Sequence, residues 1–314
     1  MACRARSWAA RCTKGRFRIP ELPEVETVRR ELAPWLTGRT IERVTLLAPV
    51  GPKYRDAQRA QGQRIEAVHR RGKFLILPLS GGDEAIVHLG MTGVVTAEVP
   101  RGRQGAHERV RLELSGDPPA CLHFVDPRRF GRFLVVQAGN YDGLPTLAAL
   151  GPEPLEDGFT DGAFLAALRR SHMAIKTYLL SQRPVAGVGN IYADEALWRA
   201  RVHPETPAAA LSSRRAKELR SAIRAVLAAS IEAQGTTLND YRTVNGEVGA
   251  YLDQLDAYGH AGEPCPRCGT SLRRSVVGQR GTVHCPRCQR RPRTSAARGG
   301  WASGHARRAS RGTA

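Results

Sequence analysis

The sequence predicts an α+β chain of several modules: a strand-rich N-terminal half, a helical second half and a small cysteine module near the C-terminus. Three observations carry this expectation. One amphipathic helix precedes a succession of short alternating runs; helical spacing takes over after a Pro/Gly-rich stretch near residue 140; two Cys-x-x-Cys pairs follow. A length of 314 residues suits two domains and a small third one.

The first helix opens at Pro23, and Val25, Val28 and Leu32 share one face. Glu24 and Glu26 fall in its first turn and Arg29 and Arg30 later, as the helix dipole favours. The runs IERVTLL, RIEAVHRRGKFLILPL, EAIVHLGMTGVVTAEV, ERVRLEL, ACLHFVD and GRFLVVQ then read as strands, punctuated by Gly, Pro and Asp. Such a run of short strands behind one helix fits a sandwich or a barrel. Beyond YDGLPTLAALGPEPLEDGF come the helical segments TDGAFLAALRRS, NIYADEALWRA and SSRRAKELRSAIRAVLAASIEAQ, the last opening on serine caps. Residues 235–250 show no period and read as an exposed loop.

The net charge is +19, but it is concentrated at the ends. Residues 1–19 hold six basic and no acidic residues, and residues 289–314 hold seven and none, so the body between them is only moderately basic. A polyanionic partner such as nucleic acid fits that balance. No apolar run approaches the roughly 18 residues of a membrane helix. The N-terminal tract lacks the apolar core of a secretory signal, and the C-terminal tract has the composition of a disordered basic tail. Seven cysteines, four of them clustered, point to a metal site in a reducing compartment rather than to a disulfide framework.

Cys265, Cys268, Cys285 and Cys288 form two CPRC pairs sixteen residues apart, a spacing that closes a tetrahedron of thiolates around one Zn²⁺. Because all four ligands are cysteine, the site reads as structural. LRRSVVGQRGTVH between the pairs alternates like a hairpin with Arg280 at its tip. GVGNIYADEAL sets a Gly-rich turn before a helix, which reads equally as a helix–turn–helix packing element or as a seat where backbone N–H groups and the Asn190 amide hold a phosphate. HLGMTG and DPRRFG lie at strand ends, and RRGKF sets Lys73 just inside a strand among apolar neighbours.

Taken together, PELPEVETVRR, RRGKFLIL, HLGMTG, DPRRFG, LGPEPL, GVGNIYADEAL, GTTLNDY and the cysteine module with GQRGT resemble the formamidopyrimidine-DNA glycosylase family, in family order from Pro20 to about Arg290. The resemblance implies an N-terminal β-sandwich with flanking helices, a helical domain with a helix-two-turn-helix motif, and a C-terminal zinc ribbon. The implied boundaries are an extension over 1–19, a catalytic domain over 20–136, a linker over 137–152, a DNA-binding helical domain over 153–257, the ribbon over 258–290 and the tail over 291–314. It further implies a bifunctional glycosylase and lyase that removes oxidised purines from double-stranded DNA by base excision repair in the bacterial cytoplasm. Such an enzyme acts as a monomer, with one zinc ion, no nucleotide cofactor and no membrane partner.

Residue by residue, the resemblance makes Pro20 the nucleophile, Glu21 the general acid/base, Lys73 the group at β-elimination and Arg280 the group at δ-elimination, with Glu24 in support. Met91, Arg128 and Phe130 would fill the gap left by the flipped nucleotide, and His107, Lys176 and Asn190 would hold phosphates. Residues 235–250 would include the loop over the extruded base. Ser171 departs from the family, standing where relatives often carry a basic residue, with Arg169 or Arg170 as the replacement charge. A larger departure lies at the start: Ile19 occupies the position of the family's initiator Met, so Pro20 as written is an amide with no lone pair for attack. The expectation is a mis-called start or a removable extension. The alternatives are an oxidised-pyrimidine glycosylase of the endonuclease VIII type and, were the extension retained, a non-catalytic binder of damaged DNA.

Overall fold

The structure, a computed structural model, describes residues 20–47, 49, 51–97, 107–116, 120–235 and 251–291. Both terminal tracts and nearly all of the expected 235–250 loop lie outside the described residues. Helix α1 (Leu22–Leu36) begins at Glu21, whose backbone N–H donates to the Glu24 carboxylate at 2.9 Å. This bond satisfies one of the donors that every helix start leaves open. Val25, Val28, Leu32 and Leu36 enter the core of the strand-rich half, while Leu22 enters the core of the helical half. One helix thus belongs to both domains.

Strands β1 (Ile41–Leu46), β2 (His69–Arg71), β3 (Phe74–Pro78), β4 (Asp83–His88), β5 (Val94–Thr96), β6 (Glu108–Leu114), β7 (Ala120–Val125) and β8 (Arg132–Gln137) follow. They form two antiparallel sheets, ordered β1-β6-β7-β5 and β2-β3-β4-β8, so the architecture is a sandwich and not a barrel. Leu75 and Leu77 of β3 face the other sheet, whereas Phe74 and Ile76 face Leu144 and Leu147 beside the short α2 (Pro145–Ala148). That double burial explains the unbroken apolar run of β3.

Two runs that read as single strands are each divided. RIEAVHRRGKFLILPL becomes β2 and β3, paired Arg71 to Phe74 across a Gly72-Lys73 turn, so Lys73 sits in the turn and not within a strand. EAIVHLGMTGVVTAEV becomes β4 and β5, which lie in different sheets, and HLGMTG carries the chain between them.

Helices α3 (Asp161–Arg169), α4 (Ile175–Leu180), α5 (Asn190–Arg199) and α6 (Ser213–Glu232) share a second apolar core. Thr160 and Ser212 cap α3 and α6 through their hydroxyl oxygens. Strands β9 (Arg273–Val277) and β10 (Arg280–His284) form the ribbon hairpin. Its two-residue turn, Gly278-Gln279, has φ of +55° and +61°, the primed geometry that matches the twist of paired strands. Arg280 opens β10 immediately after that turn.

A buried ion network joins the two halves. Glu26 accepts from Arg29, Arg30 and Arg70; Glu153 accepts from Arg70 at 2.6 Å, Arg71 at 3.0 Å and the Gly72 N–H at 2.6 Å. Burial alone would raise the Glu26 carboxyl pKa, but the hydrogen bonds from Arg29 and Arg70 outweigh it and hold it below its ordinary value. Removing Glu153 would leave the Arg70 and Arg71 guanidiniums short of a partner and the Gly72 N–H unsatisfied. Glu153→Ala is therefore expected to cost about 3 kcal/mol, read as a lower urea midpoint with an unchanged m-value. A loss under about 1 kcal/mol would show that this network does not hold the halves together.

Candidate active site

The Gly-rich turn and α5 supply three backbone N–H groups, and these point at a carboxylate of the protein itself. Glu21 accepts from Gly189 at 2.6 Å, Ile191 at 2.9 Å and Tyr192 at 3.5 Å. The helix N-terminus is an anion seat, as its sequence suggests, but Glu21 occupies it in place of a phosphate. Gly189 is required there by close approach: a Cβ would lie 2.2 Å from the Glu21 carboxyl carbon and 2.5 Å from Lys73 Nζ. The same geometry shows that Glu21 and Lys73 converge on one point.

Glu21 is 2% exposed. Burial raises its carboxyl pKa to about 7; Glu24 adds to the rise, while Lys73 and the N–H groups of Ile191 and Gly189 oppose it. Burial lowers the Lys73 pKa, with Arg280 in the same direction and Glu21 and Glu24 against. Glu24 is held in turn by the Tyr192 hydroxyl at 2.7 Å, which also bonds Ser230 at 2.6 Å. Pro20, next to Glu21, is buried. Pro20, Glu21, Glu24 and Lys73 thus come together where α1 meets α5, and the charge of Arg280 reaches the same site from the ribbon.

Of the expected phosphate contacts, one is placed differently and another is partly engaged. Lys176 is fully buried: its Nζ pairs with Asp194 at 2.7 Å and donates to the Gly281 carbonyl at 2.9 Å and the Thr282 hydroxyl at 2.8 Å. Two of its protons are spent on the ribbon and its charge is met by Asp194, so it docks the ribbon on the helical half and, fully buried, does not face a phosphate. Asn190 Nδ2 donates to the Gly281 carbonyl at 3.1 Å, leaving one amide proton for another partner. Ser171 is 8% exposed, whereas Arg169, which donates to the Ala209 carbonyl at 2.8 Å, and Arg170 are both exposed.

The loops HLGMTG and DPRRFG form a second cluster. Asp126 is fully buried and ties them, accepting from the Thr92 hydroxyl at 2.7 Å and the Gly131 N–H at 2.6 Å; its backbone N–H donates to the His107 carbonyl at 2.8 Å. Phe130 is 46% exposed, an unusual position for a phenylalanine, and the Arg128 guanidinium lies 4.9 Å from its ring centre. Met91, in the first of these loops, is half-buried, as is His107. Asp126, Glu153 and Asp194 lie inside the motifs DPRRFG, LGPEPL and GVGNIYADEAL, but their roles are not read from them, since Thr92, Arg70, Arg71, Lys176 and Val283 are partners from other segments.

The four Sγ atoms of Cys265, Cys268, Cys285 and Cys288 lie within 4.8 Å of one another. A tetrahedral zinc, with Zn–S of about 2.3 Å, needs sulfurs about 3.8 Å apart, so the cluster fits one ion with no open position. That ion is structural, and it holds the base of the hairpin whose other end carries Arg280.

A two-layer sandwich, a helical domain whose Gly-rich turn meets the N-terminal helix, and a four-cysteine ribbon together define a zinc-ribbon, helix-two-turn-helix class of protein. Comparison with known families agrees in each part. Residues 19–133 match the formamidopyrimidine-DNA glycosylase N-terminal domain, 150–242 its H2TH domain and 262–291 the zinc finger found in FPG and IleRS. The chain belongs to the formamidopyrimidine-DNA glycosylase family. A formamidopyrimidine-DNA glycosylase of Deinococcus radiodurans is 47% identical over 285 residues, covering 86% of this chain and 97% of the relative. The crystal structure of the MutM (FPG) protein of Thermus thermophilus is 46% identical, with a TM-score of 0.79 over 86% of this chain and 98% of that one. A Lactococcus lactis FPG mutant in complex with Fapy-dG-containing DNA is 33% identical, with a TM-score of 0.76 over 87% and 100%.

The raised Glu21 pKa has a thermodynamic consequence. Its folded value near 7 exceeds the ~4.3 of an unfolded chain, so its contribution to stability is complete below the unfolded value and is lost as pH rises through 7. Glu21→Gln undergoes no such loss. Relative to the parent protein, the variant is expected to gain about 2.5 kcal/mol between about pH 5 and pH 8, measured by thermal denaturation across that range. A constant difference would place the Glu21 pKa near its unperturbed value.

Proposed function

We propose that this chain is a bifunctional DNA glycosylase and lyase of base excision repair that removes oxidised purines through a Schiff base on Pro20. The observation that carries the reading is the buried Glu21 carboxyl, poised near neutral pH beside Pro20 and converging with Lys73. The family relationship supports it, as do relatives bound to Fapy-dG and 8-oxo-G DNA.

In this reading the damaged nucleotide leaves the stack, and Met91, Arg128 and Phe130 fill the gap, the exposed ring and its guanidinium wedging the duplex. The Pro20 amine bonds to the sugar C1′ as the base departs with a proton, and breaking the C1′–O4′ bond with protonation of O4′ then gives the open-chain iminium. Glu21 moves that proton and the one that opens the sugar, since a carboxyl near pKa 7 both donates and accepts at neutral pH. Lys73, its pKa lowered by burial, assists loss of the 3′ phosphate, and Arg280 assists loss of the 5′ phosphate. Glu24 keeps the first turn of α1 in place through Tyr192. His107 and Asn190 hold backbone phosphates, and the protein acts as a cytoplasmic monomer. Among the described residues no helix is long and apolar enough to cross a membrane.

The chemistry requires a free secondary amine, whereas Pro20 as written follows Ile19 in an amide. We therefore infer that the active form begins at Pro20. Such an α-amino group titrates near ~8, against ~10.4 for a lysine, and so is substantially neutral at physiological pH. Intact-mass measurement of natively expressed protein, paired with borohydride trapping on an 8-oxoguanine:C duplex, tests this. The expected result is a mass starting at Pro20 and a covalent adduct that Pro20→Gly reduces at least ~100-fold with DNA binding retained. A full-length mass without an adduct would make the chain a binder, and faster cleavage of thymine-glycol duplexes would move its substrate to oxidised pyrimidines.

A further inference from the structure

At the cysteine end of the ribbon lies a cleft of about 750 Å³ that the chemistry above does not use. Five arginines line it, Arg201, Arg215, Arg267, Arg287 and Arg290, and no acidic side chain does. An adjoining hollow of about 590 Å³ shares Arg201 and Arg215 and adds Arg199, Arg214, Lys217 and Glu218, its added cations each lying 3.8 Å from a carboxylate, so the unpaired charge belongs to the first cleft. Elsewhere the arginines of this protein are commonly paired, as Arg29 and Arg70 are with Glu26, Arg59 with Asp83, Arg111 with Glu108 and Arg220 with Asp161. In the cleft, Arg201, Arg287 and Arg290 are exposed and make no ion pair among the described residues. A filled zinc site next to them would carry about two negative charges, fewer than the five guanidiniums supply.

Two of the five are fixed in advance. Arg267 lies 4.0 Å over the Trp198 ring and donates to the Trp198 carbonyl at 3.0 Å; Arg215 donates to the Ala200 carbonyl at 3.2 Å and to Glu218 at 2.7 Å. A third is held against its backbone preference. Helix α5 ends with the Val202 N–H on the Leu197 carbonyl and the Arg201 N–H on the Trp198 carbonyl, a termination that favours glycine at the residue with positive φ. Arg201 occupies that place at φ +54°, a left-handed conformation unfavourable for a residue with a Cβ. Like charges converging on one concavity, with one of them on a strained backbone, call for an anion.

We propose that this cleft grips the phosphate backbone of a second duplex segment while the catalytic cleft holds the first. The proposal rests on the DNA reading of the catalytic cleft. Separation of the two sites follows from two independent lengths. Helix α5 starts beside Glu21 and runs ten residues, about 15 Å, before the chain reaches Arg201. Strand β10 starts at Arg280 and runs five residues, about 17 Å, before the chain reaches Cys285. Both elements lead away from Glu21 and Lys73 and set the arginine cleft at their opposite ends, about 15 Å off. The chain's own continuation is no candidate occupant, because residues 292–314 contain five arginines and no acidic residue. With two grips, the protein passes from one segment to another without first releasing DNA.

Stopped-flow dissociation of a fluorescein-labelled lesion duplex from the full chain, chased by unlabelled undamaged duplex at low salt, tests the proposal. Direct transfer makes the observed rate rise with chase concentration, by at least ~3-fold over a roughly 20-fold range, because arrival of the second segment drives departure of the first. R201A/R287A/R290A is expected to abolish that dependence, with affinity for the labelled duplex kept within ~3-fold. A control that removes the same charge from the sandwich, R43A/R55A/R64A, is expected to keep it. The proposal is overturned if the dependence is absent in the parent protein, survives in the cleft variant, or disappears equally in the control. Failure of the DNA reading itself would look different, as no labelled duplex would bind even before the chase.

Discussion

The Glu21 carboxylate, lodged against the first N–H groups of α5, is the contact on which the rest of this molecule depends. It is made by the first turn of α1, a helix of the sandwich, to the first turn of α5, a helix of the other domain. The position of α1 relative to α5 is therefore not a matter of surface packing alone. Leu22 inserts beside it into the helical core, and the Glu26–Arg70–Glu153 network repeats the tie further along the helix. A carboxylate so placed has opposing influences on its proton. The helix end and Lys73 favour the charge and burial opposes it; burial is the larger, which leaves a proton exchangeable near pH 7.

The ribbon extends the same logic to the cation it carries. Its hairpin is fastened by Lys176, Asp194 and Asn190, which between them engage the backbone or side chains of Gly281, Thr282 and Val283. Those three residues follow Arg280 directly, so the fastening point lies one residue from the group it has to place. Asp194 illustrates the cost of such a device: burial raises its pKa to about 6 against the opposing influence of Lys176. A buried pair of this kind adds little net stability over an apolar pair, but removing either partner is severe. Its value here is positional. Zinc at one end of the hairpin and the Lys176–Asp194 pair near the other fix the backbone from which the exposed Arg280 side chain extends.

Much of this was legible in the residues. The two CPRC pairs announce a closed zinc site by spacing alone, and the structure brings their sulfurs together. Alternation marked the strands, and Thr160 and Ser212 stand where caps belong. What periodicity could not show was where a run breaks: RRGKF keeps a strand-like texture through a tight turn, and HLGMTG hides a passage between sheets. Nor could it separate a lysine for phosphate from a lysine for aspartate. Lys176 and Asp194 lie on different helices, and only packing decides that they meet. The Gly-rich turn was correctly legible as an anion seat, while its occupant, a glutamate 168 residues earlier, was not.

The proposed chemistry stands on the protonation of one buried side chain, and that can be observed directly. In protein carrying ¹³C at the glutamate side-chain carboxyls, with the Glu21 signal assigned by its loss in Glu21→Gln, a pH titration follows that group alone. The midpoint is expected near 7, because burial outweighs the helix end and Lys73. In Ile191→Pro, which removes one N–H donor from the carboxylate, the midpoint should move further up, since the charge loses part of its support. A parent midpoint at or below about 4.5 would be the contradictory result. It would mean that the helix end and Lys73 outweigh burial, and that Glu21 carries no proton to give at neutral pH.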